Sequence, residues 1–104
     1  MAHYADTSSY SQDEIDLWNH LQQLQTNTFY TARGLEFKFF ITGNELFIDR
    51  KEKSITRSTV NMAYRRAREL MRNEGKVKGP KQLKVFGASY LLPIFVELGI
   101  CSKE

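Results

Sequence analysis

Five arginines stand between Thr56 and Asn73, at positions 57, 65, 66, 68 and 72. A guanidinium is a permanently charged, planar fork of N–H donors that matches phosphate and carboxylate oxygens. Its chemistry is the binding of anions. If TRSTVNMAYRRARELMRN coils as a helix, Arg57, Asn61, Arg65, Arg68 and Arg72 share an arc of ~80°, and Arg66 stands apart. Arg65, Arg68 and Arg72 are then like charges at i,i+3 and i,i+4, and each such pair costs a few tenths of a kcal/mol. A stripe that costs stability is best understood if it meets a polyanion. Asn61 adds a side chain able to read an adenine edge from within a groove.

The segment KVKGPKQLK follows, with Lys76, Lys78, Lys81 and Lys84 placed to contact phosphates beside that helix. Residues 50–84 hold twelve Lys or Arg against three acids, whereas the rest of the chain holds three against nine. Segregated charge speaks of partners rather than of fold. The expected partner is nucleic acid, double-stranded DNA ahead of RNA. An acidic protein surface is the alternative.

No other chemistry is legible. HxxxH, CxxC, GxGxxG, GxxxxGK[ST] and GxSxG are absent. His20 falls off the apolar stripe of its helix, no second ligand is spaced to join it, and His3 lies in a polar lead-in. Neither a nucleophile–base pair, a metal site, a cofactor nor a small-molecule substrate is expected. Cys101 is alone, which leaves no disulfide framework and makes a reducing cytoplasm the default compartment. No secretory signal or apolar run of membrane-spanning length is visible.

The elements that must position these groups follow from periodicity. At 104 residues, the chain has the length and composition of one soluble globular domain over residues 11–100. Residues 1–10 form a disordered lead-in and 101–104 a tail. Ser11 and Glu14 have capping-box spacing, and Leu17, Trp18, Leu21 and Leu24 recur helically, so a first helix runs from about Gln12 to Gln25.

Leu35, Phe37, Phe39 and Ile41 alternate as in a strand, and Gly43-Asn44 suits a type II′ hairpin turn. That turn sets Thr42 opposite Glu45, Ile41 opposite Leu46, Phe40 opposite Phe47, Phe39 opposite Ile48, Lys38 opposite Asp49 and Glu36 opposite Lys51. Phe40 and Phe47 share the outer face. Either another element covers them or they form a protein interface. Phe29-Tyr30 makes a short first strand before a turn or bulge at Arg33-Gly34.

Thr56 caps the arginine helix, which ends near Gly75. Its Val60, Ala63, Tyr64, Ala67, Leu70 and Met71 face the core. The last segment, from Pro80 to Gly99, carries Leu83, Phe86, Tyr90, Leu91, Ile94, Phe95 and Leu98 at helical spacing and should be the central buried element. Pro93 should break it near residues 89–93, and Gly87, Ala88 and Ser89 allow a close neighbour. The expected fold is α+β, in the order helix, hairpin, arginine-rich helix, apolar C-terminal helix.

The run TARGLEFKFFITGNELFIDRKEKSITRSTV, followed later by GPKQLKVFGASYLLPIF, resembles small proteins of unassigned function from Gram-positive bacteria and their mobile elements. The resemblance spans residues 28 to 98. It implies a bacterial cytoplasmic protein, favours a role in mobile-element or phage biology, and transfers no functional residue.

Overall fold

The computed structural model describes residues 10–102. All of the expected lead-in except Tyr10 lies outside them. Helix α1 spans Gln12–Gln23, and its N-terminus is the capping box foreseen: the Ser11 hydroxyl accepts from the Glu14 N–H at 3.2 Å while Glu14 Oε1 accepts from the Ser11 N–H at 3.1 Å. The helix stops two residues early because Leu24 caps it and Thr26 turns into the left-handed region at φ 70°.

Strands β1 (Phe29–Tyr30) and β2 (Glu36–Phe37) pair antiparallel around a tight turn in which the Gly34 N–H donates to the Thr31 carbonyl at 2.8 Å. Strands β3 (Phe39–Thr42) and β4 (Glu45–Ile48) form the main hairpin in the register read from its turn, from Thr42 opposite Glu45 to Phe39 opposite Ile48. Gly43 has φ 60° and Asn44 avoids positive φ, as a type II′ turn requires.

Two details differ from expectation. The long strand divides at Lys38, and Glu36 pairs with Tyr30 instead of Lys51, because β4 ends at Ile48 and the chain turns at Asp49-Arg50. Leu35, expected on the core face, is exposed for the same reason: it belongs to the first hairpin's turn. A third strand, β5 (Ile55–Thr56), joins β4 with Leu46 opposite Ile55. Its two residues were legible only as the approach to the next helix.

Helix α2 (Arg57–Glu74) starts at Thr56, whose hydroxyl accepts from the Thr59 N–H, and ends at Gly75 in the left-handed conformation that glycine adopts without strain. A 3₁₀ turn (Pro80–Leu83) follows, then helix α3 (Ala88–Glu97). The break in the last segment therefore falls at residues 84–87, not at 89–93. Lys84 and Gly87 both take positive φ there, and Pro93 sits inside α3. Gly87 is required: a Cβ would stand 2.3 Å from Ile55 Cδ1.

One apolar core unites α1, the strands, α2 and α3, with Phe37, Phe39, Leu46, Ile55, Val60, Leu91 and Phe95 fully buried. Cys101 also belongs to it, and the Ser102 carbonyl accepts from the Val77 N–H, so the expected tail begins later than residue 101. Burial raises the Cys101 thiol pKa, which leaves it a poor nucleophile. Among the described residues, no helix is long and apolar enough to cross a membrane.

Candidate nucleic-acid interface

Helix α1 packs on the arginine face of α2, and its acidic first turn meets that face. Glu14 Oε2 lies 2.5 Å from Arg65 Nε, and Asp13 Oδ2 lies 2.7 Å from Arg68 Nη1. The hydrogen bond from Arg65 is the main reason that the Glu14 carboxyl sits below its ordinary pKa, with desolvation opposing it and Ser11 assisting. Glu14 in turn raises the pKa of Arg65, and Asp13 and Tyr64 raise that of Arg68. Arg57 is half-buried. Its guanidinium carbon lies 4.5 Å from the Tyr10 ring centroid and 5.1 Å from that of Trp18, and Nη1 donates to Asn44 at 3.2 Å.

The expected open row of four guanidinium groups is thus corrected. Arg57, Arg65 and Arg68 are engaged by α1 and the main hairpin turn, and of the four only Arg72 makes no ion pair or ring contact among the described residues. The like-charge cost of the stripe is offset within the chain itself.

Asn61 is corrected too. It is 1% exposed, and neither its Oδ1 nor its Nδ2 has a partner, so it cannot reach a base edge. Asn61 falls in the middle of the arginine arc, where Arg57, Arg65 and Arg68 meet Trp18, Glu14 and Asp13 of α1. Arg57 Nε is likewise buried without a partner. Arg66, outside the row, donates to the Gln82 carbonyl at 2.9 Å and to Glu69 at 3.1 Å, tying α2 to the 3₁₀ turn.

In the basic segment after α2, Lys81 and Lys84 stay open. Two clefts flank Lys84. One, of about 780 Å³, lies between the β1–β2 turn and the start of α3; Arg33, Lys51, Lys81 and Lys84 line it and no carboxylate does. The other, of about 470 Å³, runs beside α2 and is lined by Arg65, Arg66, Arg72 and Lys84, with Glu69 its only acid. Arg33, Lys51, Arg72, Lys81 and Lys84 form no ion pair among the described residues. Lys84 holds φ 57°, a left-handed conformation that costs a non-glycine residue of order 1 kcal/mol. Lys78 is exposed and lines a separate pocket with Phe29, Tyr30 and Pro93, and Lys76 is half-buried near the end of α2.

Phe86, read from its spacing as a core residue, is 41% exposed and lines the larger cleft, with Lys53 Nζ 4.6 Å from its ring centroid. The left-handed turn at Lys84 resets the helical phase, so Phe86 leaves the stripe that Leu83 began. Spacing gave Phe86 to the core and did not single out Arg33 or Lys51 for the cleft: three loops bring them together, and no periodicity links loops.

On the outer face of the main hairpin, Phe40 stacks on Phe47 with ring centroids 5.3 Å apart and planes at 11°. Phe40 is 47% exposed, so no helix covers it. Comparison of the chain with protein-family models, curated proteins and solved structures finds no match.

Proposed function

We propose that this chain is a small non-enzymatic nucleic-acid-binding protein whose contact surface is the basic ground on either side of Lys84. The observation that carries the reading is the pair of clefts sharing that residue, in which Arg33, Lys51, Arg72, Lys81 and Lys84 form no ion pair among the described residues and the one lining acid, Glu69, is already held by Arg66. Unpaired cations gathered at a concave surface raise the local potential and neutralise phosphates, whereas cations already held by carboxylates do so weakly. The arginine face of α2 therefore contributes Arg72 and the outward part of Arg65. Insertion of α2 into a duplex groove would require α1 to leave. A bacterial cytoplasmic setting and a role in mobile-element or phage biology accord with the resemblance given above.

Neutralising about four phosphates gives a slope of log K against log salt near −3 to −4. Fluorescence anisotropy with labelled oligonucleotides at two salt concentrations measures it. A Lys81→Glu, Lys84→Glu double variant should weaken binding throughout. Binding weaker than micromolar with a flat salt response would overturn the reading.

A second reading, a protein-interaction module, draws support from the Phe40–Phe47 stack, of which Phe40 is exposed and Phe47 half-buried. Its signature is a folded Phe40→Ala, Phe47→Ala variant that loses a partner the parent chain retains. Sedimentation across protein concentrations separates that partner from a second copy of this chain.

A further inference from the structure

We infer that the larger basic cleft takes single-stranded nucleic acid, with one base stacked on Phe86; this rests on the nucleic-acid reading above and specifies its substrate. Three features of the cleft point the same way. First, its size. At about 780 Å³ it exceeds what one phosphate needs and suits a nucleotide unit with its base.

Second, its composition. Phosphate-only recognition of a duplex asks for cations on a rim and gains nothing from an aromatic ring between them. Here an exposed phenylalanine, with Lys53 Nζ over its ring at 4.6 Å, sits among Arg33, Lys51, Lys81 and Lys84, with Val85 and Tyr90 beside it, so a base stacks by displacing Lys53 or on the opposite face. Cations that track a backbone, interleaved with a ring that offers a π-face, are what an unpaired strand requires, because its bases are free to leave the stack. In a duplex those faces are already stacked.

Third, its backbone. Lys84 and Gly87 both hold positive φ on either side of Val85-Phe86, and Gly87 can carry no side chain because Ile55 fills that space. The pair of turns lifts Phe86 out of the helical stripe, and the apolar contact beneath Gly87 anchors that geometry in the core. The start of α3 opens into the same cleft with no side chain capping it. Its N–H groups add partial positive charge to a site that stands without them.

The test is anisotropy with a fluorescein-labelled 12-nucleotide oligothymidine and a 12-base-pair duplex, using the full chain. Parent protein should bind the single strand more tightly than the duplex. Phe86→Ala should lose roughly ten- to a hundredfold on the single strand, the worth of one stacked base, and leave duplex binding unchanged. Phe86→Trp should keep or improve single-strand binding, which separates stacking from folding. Lys84→Gly removes the charge and relieves the left-handed backbone, so it should melt no lower than the parent while weakening both ligands.

Equal binding of both ligands by parent and Phe86→Ala, with Lys84→Gly weakened, would overturn the single-strand inference and leave the nucleic-acid reading standing. Parent-like binding by Lys84→Gly and by the Lys81→Glu, Lys84→Glu variant, or no binding by the parent, would remove both.

Discussion

The arginine face of α2 and the lysine-rich ground around Lys84 carry the same sign of charge and adjoin each other, yet the fold uses them in opposite ways. On α2 the cations meet partners from elsewhere in the same chain: Asp13 and Glu14 arrive from α1, and Tyr10 and Trp18 lie against Arg57. Around Lys84 the cations of the larger cleft face one another across open space, with no carboxylate lining it. Density of charge along a sequence therefore does not say whom the charge is for. Arg65 and Glu14 are 51 positions apart, and their pairing answers an electrostatic cost that looked, from α2 alone, like evidence of a partner.

The contrast predicts that substitutions on the covered face act on stability and substitutions in the open cleft act on binding. The largest effect is expected at Trp18, which is 2% exposed and joins α1 to the arginine face. Trp18→Ala should cost about 3–5 kcal/mol by chemical denaturation. Lys81→Gln in the cleft should stay within about 0.5 kcal/mol of the parent. Comparable losses at the two sites would break the division.

Next comes Glu14. Its buried carboxylate serves both the capping box and Arg65, so Glu14→Gln should cost about 1–3 kcal/mol, nearer the lower figure because Arg65 is 62% exposed to screening water. The pKa of Glu14 is lowered in the folded state. Its contribution is therefore complete above the unfolded value of 4.5 and is lost as pH falls through the folded value. Glu14→Gln should flatten the acid side of a stability–pH profile. An unchanged slope would mean that the pair contributes nothing to folding.

The smallest effect has the opposite sign. Asn61→Leu replaces two unpartnered buried polar atoms with apolar volume, and should raise stability by about 1 kcal/mol, a few degrees in Tm, without altering oligonucleotide binding. A loss of binding would return Asn61 to the interface. A fall in Tm would show that its polar atoms are satisfied in solution.

Features that depend on near neighbours were legible. The capping box needs residues three apart, the main hairpin register needs a two-residue turn and alternation on either side, and the caps of α2 need Thr56 and Gly75. The arginine stripe itself was read correctly as an arc. Its surroundings were not, because what covers an arc is decided by an element some fifty residues away. Phe86 was misassigned because left-handed residues at Lys84 and Gly87 break the helix on either side of it, while Leu91, Ile94 and Phe95, read from the same spacing, are buried; an ordinary lysine carries no mark of that conformation.

By itself the sequence determined the α+β order of elements, the pairing of the main hairpin, the apolar stripe of α2 and the uneven distribution of charge, since each follows from local sterics and periodicity. Tertiary structure alone decided which cations meet carboxylates and which meet solvent, and that an aromatic ring stands among the latter. Burial and ion pairing depend on distances across the fold, and the docking of α1 onto α2 and of α3 onto α2, β1 and the 3₁₀ turn sets those distances.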